Sequence, residues 1–152
     1  LEVELAVCEA WAEKRKIPRK ALENIKAKAG FDVERIDEIE RTVKHDVIAF
    51  LTSVAEHIGP DSRYVHKGLT SSDVVDTAQA LLMRDAADII LRDISGLMDV
   101  LREKAFEYRE TPCIGRSHGI HAEPMTFGLK FALWYEDMKR NMARVRAARK
   151  TI

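Results

Sequence analysis

The sequence predicts an all-α protein, with a small helical domain over residues 1–69 and the first part of a long-helix bundle over residues 70–152. Apolar residues recur every three or four positions along most of the chain, which is the period of an α-helix. The 152 residues include only 7 glycines and 4 prolines, too few for a turn-rich β-sandwich. No segment shows the alternation of apolar and polar residues that indicates a strand.

Four helices are expected within residues 1–69. The first ends near Pro18, because the residue before a proline avoids the α region. Pro18 then suits the first turn of the second helix, which is expected to end with Gly30 as its C-terminal cap. Asp32 can cap a short third helix, and a fourth runs from about residue 45 to residue 58.

The longest helical pattern begins at residues 70–73 and continues nearly to Arg109. About 37 residues at roughly 1.5 Å each give a rod of roughly 55 Å, longer than an ordinary domain of this size. Such a helix needs long neighbours to cover its apolar stripe, either later in the chain or in other subunits. A non-periodic segment over residues 111–124 follows, and a last helix starts near Thr126.

Composition excludes several classes of function. Lys and Arg number 25, as do Asp and Glu, so the chain lacks the basic surplus of a general nucleic-acid binder or a polybasic membrane-surface protein. Cys8 and Cys113 are expected to be free thiols in a reducing compartment, which favours a cytoplasmic location. Both chain ends fall inside helical patterns without a cap or a breaker, so we expect a piece of a longer polypeptide.

Two polar segments in the first half could carry chemistry. The first, Lys44-His45-Asp46, offers a histidine that could act as an acid, a base or a hydrogen-bond donor, or could simply be a solvated surface residue. The second, over residues 70–73, offers hydroxyl groups that can cap the long helix, whose first amides also favour an anion. His66 lies just upstream and either faces the same cleft or lies on a loop surface.

The third polar segment, over residues 115–121, has glycines on both sides of a Ser117-His118 pair, which implies unusual backbone geometry. Metal binding by His118 and His121 is one alternative, but neither an H-E-x-x-H pattern nor a cysteine pair accompanies them. A Ser-His-Asp hydrolase is disfavoured because no strand is predicted that could carry the nucleophile elbow of such enzymes. The plainest interpretation remains a loop histidine whose ring makes its hydrogen bonds to backbone groups.

Taken together and in order, the segments 44–47, 65–77 and 115–128 resemble the adenylosuccinate lyase family of the fumarase/aspartase superfamily. The likeness extends over essentially the whole chain, including residues 8–11 and 132–136. It implies a fumarase/aspartase-like helical fold and homotetramers whose central bundle pairs long helices from four subunits. Each active site of the family draws on three chains.

The resemblance also implies a reaction. The family cleaves adenylosuccinate to AMP and fumarate, and it releases fumarate from the succinyl-carboxamide ribotide of purine biosynthesis. This β-elimination uses no metal or organic cofactor. It requires a base for a carbon-bound proton, an acid for the departing nitrogen, and donors around the succinyl carboxylates.

Residue roles follow from the same resemblance. His118 matches the general acid, and His45 matches a second histidine that supports it. Substrate contacts are implied for Lys44, Asp46, His66, Thr70, Ser71 and Ser117, with Thr70 and Ser71 binding a succinyl carboxylate and His66 the nucleotide.

Two positions depart from the family pattern, since Lys44 stands where arginine is common and Ser117 where threonine is common. The family's base is a serine on a mobile loop that this sequence does not include, so we expect the isolated chain to be inactive. Another fumarate-releasing lyase of the superfamily and a catalytically silent helical assembly module remain as alternatives.

Overall fold

A computed structural model describes all 152 residues, and it confirms the all-α prediction. The structure contains six α-helices, one short 3-10 helix and a two-stranded antiparallel sheet. In chain order these are α1 (Glu2–Glu13), α2 (Arg19–Lys28), α3 (Val33–Val43), α4 (Asp46–Ile58), the 3-10 helix (Pro60–Tyr64), α5 (Ser71–Glu107), β1 (Pro112–Ser117), β2 (Ile120–Thr126) and α6 (Phe127–Arg149). None of the helices combines the length and the apolar character needed to cross a membrane.

Local chemistry sets most of the helix ends. The carboxylate of Asp32 accepts a hydrogen bond from the backbone N–H of Arg35 at 2.8 Å, which confirms the predicted cap of α3. The prediction that Gly30 caps α2 is wrong, because α2 ends at Lys28 with Ala29 as its C-cap, and Gly30 is not among the glycines with positive φ. Gly30 is instead tightly packed, since a Cβ at this position would lie 3.3 Å from Cδ2 of His57.

Two compact units make up the chain, Leu1–Gln79 and Ala80–Ile152. The predicted domain boundary after residue 69 stays a prediction. The first unit has a hydrophobic core in which residues of α1, α2 and α4 pack together, and Ile25 and Val54 have no exposed surface. Full burial of such a side chain contributes about 1.5–3 kcal/mol to stability, so this core holds the loops of the unit in place.

The second unit packs the end of α5 against the start of α6. The rings of Tyr108, Phe127 and Phe131 form a cluster with centroid separations of 4.9–5.9 Å. At the other end of α6, the guanidinium of Arg149 makes two hydrogen bonds to the carboxylate of Asp88 in α5. Contacts at both ends show that α6 runs back along α5 in the antiparallel direction.

The segment expected to be non-periodic contains a β-hairpin, so the expectation that no strand is present is wrong there. Its register pairs Pro112 with Thr126 and Ser117 with Ile120. The two-residue turn consists of His118 and Gly119, whose φ angles are +51° and +78°. Two left-handed residues in succession match the twist of a hairpin. The strands escaped prediction because most of their residues are exposed, so no apolar alternation marks them.

Many large apolar residues of α5 and α6 in the second unit are exposed. The exposed fraction reaches 70% for Leu82, 67% for Phe106 and 59% for Leu133. Large apolar side chains exposed in such number are typical of an interaction face. The single chain therefore leaves part of the apolar stripe of α5 uncovered.

Candidate functional site

His118 occupies the first position of the hairpin turn in the second unit, directly after Ser117 at the end of β1. Both residues are exposed, and the imidazole makes no hydrogen bond within the chain. The β1 register skips Gly115, where a Cβ would lie 2.9 Å from the carbonyl oxygen of Glu123. The hairpin therefore needs glycine at this position, and it presents the Ser-His pair at its tip.

His45 is the N-cap residue of α4 in the first unit. Its Nδ1 accepts a hydrogen bond from the backbone N–H of Ile48 at 3.4 Å. Asp46 Oδ1 lies 3.3 Å from the same nitrogen, but it also accepts from the N–H of Val47 at 2.7 Å. A ring nitrogen that accepts from an amide carries no proton, so the proton of the neutral ring lies on Nε2. Capping thus leaves Nε2–H available to a ligand.

Lys44 directly precedes this cap and ends α3 in the left-handed conformation, with φ of +56°. Its side chain is exposed and forms no ion pair. The Asp46 side chain is also exposed, and its only ion-pair contact is with His45. The three residues therefore place a cation, an imidazole and a carboxylate side by side at the start of α4.

His66 also has a left-handed backbone, with φ of +61°, in the loop after the 3-10 helix. Its backbone N–H donates to Glu4 Oε2 at 2.8 Å, and its Nδ1 lies 2.6 Å from Glu4 Oε1. The His66 side chain is 21% exposed and that of Glu4 only 1%. Both oxygens of a buried carboxylate therefore hold this histidine.

The start of α5 is capped differently from the expectation. The carboxylate of Asp73 accepts a hydrogen bond from the backbone N–H of Thr70 at 2.8 Å, whereas no hydroxyl group caps the helix. Thr70 is exposed and Ser71 half-buried, and neither hydroxyl has a partner within the chain. Both hydroxyls lie at the positive end of a long helix, where an anion is favoured.

The predicted site residues belong to both units. Within the first unit, no hydrogen bond or ion pair joins His45, His66, Thr70 and Ser71 to one another. Ser117 and His118 belong to the second unit. No group of three or more His, Cys, Asp or Glu side chains has an arrangement that could hold a metal ion.

Comparison with known proteins identifies the family. A family described as lyase matches residues 1–152, which is the whole chain. The chain belongs to the lyase family. The resemblance noted from its sequence motifs is thereby confirmed at the level of the family.

Two curated relatives of this lyase chain share about half of its residues. It is 53% identical to the adenylosuccinate lyase of Aquifex aeolicus over 155 residues, which cover 100% of the chain and 36% of the relative. It is 50% identical to the adenylosuccinate lyase of Bacillus subtilis over 149 residues, which cover 98% of the chain and 35% of the relative. The chain thus spans about a third of the length of these relatives.

A solved structure shares the fold of this lyase chain. The crystal structure of fumarate lyase from Mesorhizobium sp. BNC1 superposes with a TM-score of 0.87 at 33% identity. The match covers 96% of the chain and 35% of that protein. The fumarase/aspartase-like fold expected from the sequence is confirmed.

The contact between Glu4 and His66 was not predicted from the sequence of the lyase chain. A signal was present, because Glu4 lies one turn before Cys8 and two turns before Trp11 on the apolar stripe of α1. A carboxylate on a buried stripe needs partners. Its partner is 62 residues away in the chain, so the sequence could not name it.

Proposed function

We propose that this chain is part of an adenylosuccinate lyase that acts in purine and AMP biosynthesis. The enzyme releases fumarate from adenylosuccinate, giving AMP, and from the succinyl-carboxamide ribotide. The observation that carries the proposal is about 50% identity, along nearly the whole chain, to two relatives named adenylosuccinate lyase.

In the proposed β-elimination, His118 is the general acid that protonates the departing nitrogen. Its exposed position at the hairpin tip, free of internal hydrogen bonds, supports this role because the ring can reach a ligand. Ser117 beside it contacts the substrate. Proton transfer by a positioned group of this kind contributes roughly 10²–10⁴-fold to a rate.

His45 supports the acid in this scheme, and Lys44 and Asp46 contact the nucleotide. The N-cap geometry supports the assignment, because it leaves Nε2–H of His45 as the free donor. Lys44 supplies a cation to the nucleotide phosphate as a point charge, without the planar fork of an arginine. His66 is a further nucleotide contact.

Thr70 and Ser71 bind a succinyl carboxylate. Support comes from their unpaired hydroxyls at the start of α5, where the helix dipole also favours negative charge. Negative charge builds on this part of the substrate during elimination, so donors placed there lower the barrier.

The remaining machinery lies outside the chain. The base is a serine of a loop that the chain does not contain, so the chain alone is inactive. The whole enzyme is a cytoplasmic homotetramer that needs no cofactor. The exposed apolar residues of α5 and α6 support subunit packing, and the two free thiols support a reducing compartment.

A fumarate-release assay tests the proposal. The full-length protein is expected to convert adenylosuccinate to AMP and fumarate, whereas the purified 152-residue chain gives no turnover. Turnover of a different succinyl compound alone would favour another fumarate-releasing lyase. No turnover of either kind by the full-length protein would favour a silent helical assembly module, and turnover by the chain alone would refute the missing-base account.

A further inference from the structure

One face of α1 holds the loop that carries His66. Glu4, Cys8 and Trp11 follow one another at intervals of four and three residues, so they lie on the same side of the helix. Cys8 Sγ contacts the carbonyl oxygen of Tyr64 at 3.7 Å, and Trp11 Nε1 donates to the carbonyl oxygen of Lys67 at 2.8 Å. These two contacts reach only the backbone of the loop.

Glu4 differs because it contacts a side chain that has a role in the proposed site. Its carboxylate is 1% exposed, and each of its oxygens has a partner on His66. Burial of an unpaired carboxylate is costly, and these two contacts give each oxygen of Glu4 a hydrogen-bond partner. The left-handed backbone of His66 turns its amide and its ring toward the same carboxylate.

The contact determines which ring nitrogen carries a proton. An ionised carboxylate only accepts hydrogen bonds, so the nitrogen 2.6 Å from Glu4 Oε1 must be Nδ1–H. This holds for both the neutral and the protonated ring. Nε2 is then the only ring atom that can gain, lose or share a proton with a ligand.

We infer that Glu4 is a positioning residue, which holds His66 in the Nδ1–H tautomer and presents Nε2 to the nucleotide substrate. The part of the inference that concerns substrate rests on the proposed function. The tautomer itself rests on the two hydrogen bonds between Glu4 and His66 and on Glu4 accepting both of them as a carboxylate.

Glu4→Gln gives a sharp test. Glutamine has one accepting oxygen and one donating NH₂ group. The backbone N–H of His66 can only donate, so it takes the oxygen and leaves the NH₂ group facing Nδ1. Nδ1 must then accept, and the ring proton moves to Nε2. The substitution is therefore expected to reverse the tautomer with little change in shape.

Nitrogen NMR of the full-length protein, labelled with ¹⁵N at histidine, reads the tautomer directly. His66→Gln assigns the His66 signals by their loss. Wild type is expected to show a protonated Nδ1, and Glu4→Gln a protonated Nε2. Trp11→Phe, which removes a loop hydrogen bond that does not touch His66, is the matched control and keeps the wild-type tautomer.

Kinetics supplies the second measurement. Glu4→Gln is expected to raise KM for adenylosuccinate about tenfold, as for loss of one hydrogen bond to a charged group, with a smaller change in kcat. Because Glu4 acts through His66, the double variant with His66→Gln should be no worse than His66→Gln alone. Trp11→Phe should leave KM within about twofold of wild type.

Each outcome decides one claim. An unprotonated Nδ1 in wild type overturns the inference, and this measurement does not depend on the stability of any Glu4 variant. A tautomer that is unchanged in Glu4→Gln also overturns it. Additive losses in the double variant also overturn it, since Glu4 would then act independently. An inactive wild-type enzyme instead refutes the proposed function, and the NMR result still decides the tautomer.

Discussion

Gly128, at the start of α6, lies directly against the backbone carbonyl of Ala105 in α5. A Cβ at this glycine would collide with that oxygen and would lie 2.8 Å from the Cα of Arg109. Backbone atoms cannot move aside as the end of a side chain can. Gly128→Ala is therefore expected to lower the free energy of unfolding by about 1–3 kcal/mol, measured by urea denaturation.

Gly96 provides the matched control, because it lies within α5 with no atom within 4 Å of its Cβ position. Gly96→Ala is expected to raise the free energy of unfolding by about 0.5–1 kcal/mol, through helix propensity. Equal effects of the two substitutions would contradict the close approach of α6 to α5.

Because Asp88 forms an ion pair with Arg149, the free energy of unfolding is expected to fall at acidic pH. The hydrogen bond from Arg149 holds the pKa of the Asp88 carboxyl below its usual value. The unfolded state therefore binds the proton first, and the contribution of the pair is lost as pH falls through the folded pKa. Asp88→Asn should flatten the acid side of the curve of unfolding free energy against pH.

Asp99 is the control for this experiment, since its ion pair with Arg102 is looser, at 3.7 Å. The Asp88 side chain is 47% exposed and that of Asp99 is 71% exposed, so the difference is expected to be small and to disappear in high salt. If Asp99→Asn and Asp88→Asn change the curve equally, the bidentate pair has no special effect.

Cys8 predicts a loss of stability in alkali. Burial raises the pKa of its thiol to about 11, and the nearby Glu4 carboxylate adds to the shift. The unfolded chain loses this proton near pH 9, so stability falls between about pH 9 and pH 11 by about 2–3 kcal/mol. Denaturation across this range should show a shallower fall in Cys8→Ala than in wild type. Parallel curves would exclude a contribution from the thiol.

His118→Ala is expected to lower kcat of the full-length enzyme by roughly 10²–10⁴-fold, as for loss of a general acid. His121→Ala is the matched control, because it removes another exposed histidine of the same hairpin that has no proposed role. Its kcat should stay within a few-fold of wild type in a fumarate-release assay. An unchanged kcat in His118→Ala would remove this residue from the acid role.

Thr70→Val is expected to raise KM for adenylosuccinate about tenfold, because it removes a hydroxyl donor to a carboxylate while keeping the shape. The helix cap survives, since it uses the Thr70 amide and the Asp73 carboxylate. Ser72→Ala, in the same turn but without a proposed role, should leave KM unchanged. Initial-rate kinetics would measure KM for both variants, with circular dichroism as a check of folding. A normal KM in Thr70→Val would exclude the carboxylate contact.

Features set by neighbouring residues were predictable from the sequence. Helical periodicity identified the long α5, and the Asp32 cap depends on an amide only three residues away. The hairpin was not predictable, because its exposed strands carry no apolar pattern and its turn uses a histidine in the left-handed region. The contact of Glu4 with His66 depends on tertiary packing, which no local pattern encodes.

Because the hairpin is exposed, selection for folding and selection for activity should act differently on its residues. Arg116, His118 and His121 contribute almost nothing to a hydrophobic core, so replacements that tolerate the local backbone, such as asparagine at the left-handed His118, should pass a screen for expression or heat resistance. The same replacements at His118 should fail when cells must make their own purines. Mutational tolerance at the hairpin tip would therefore report ligand chemistry with little interference from folding.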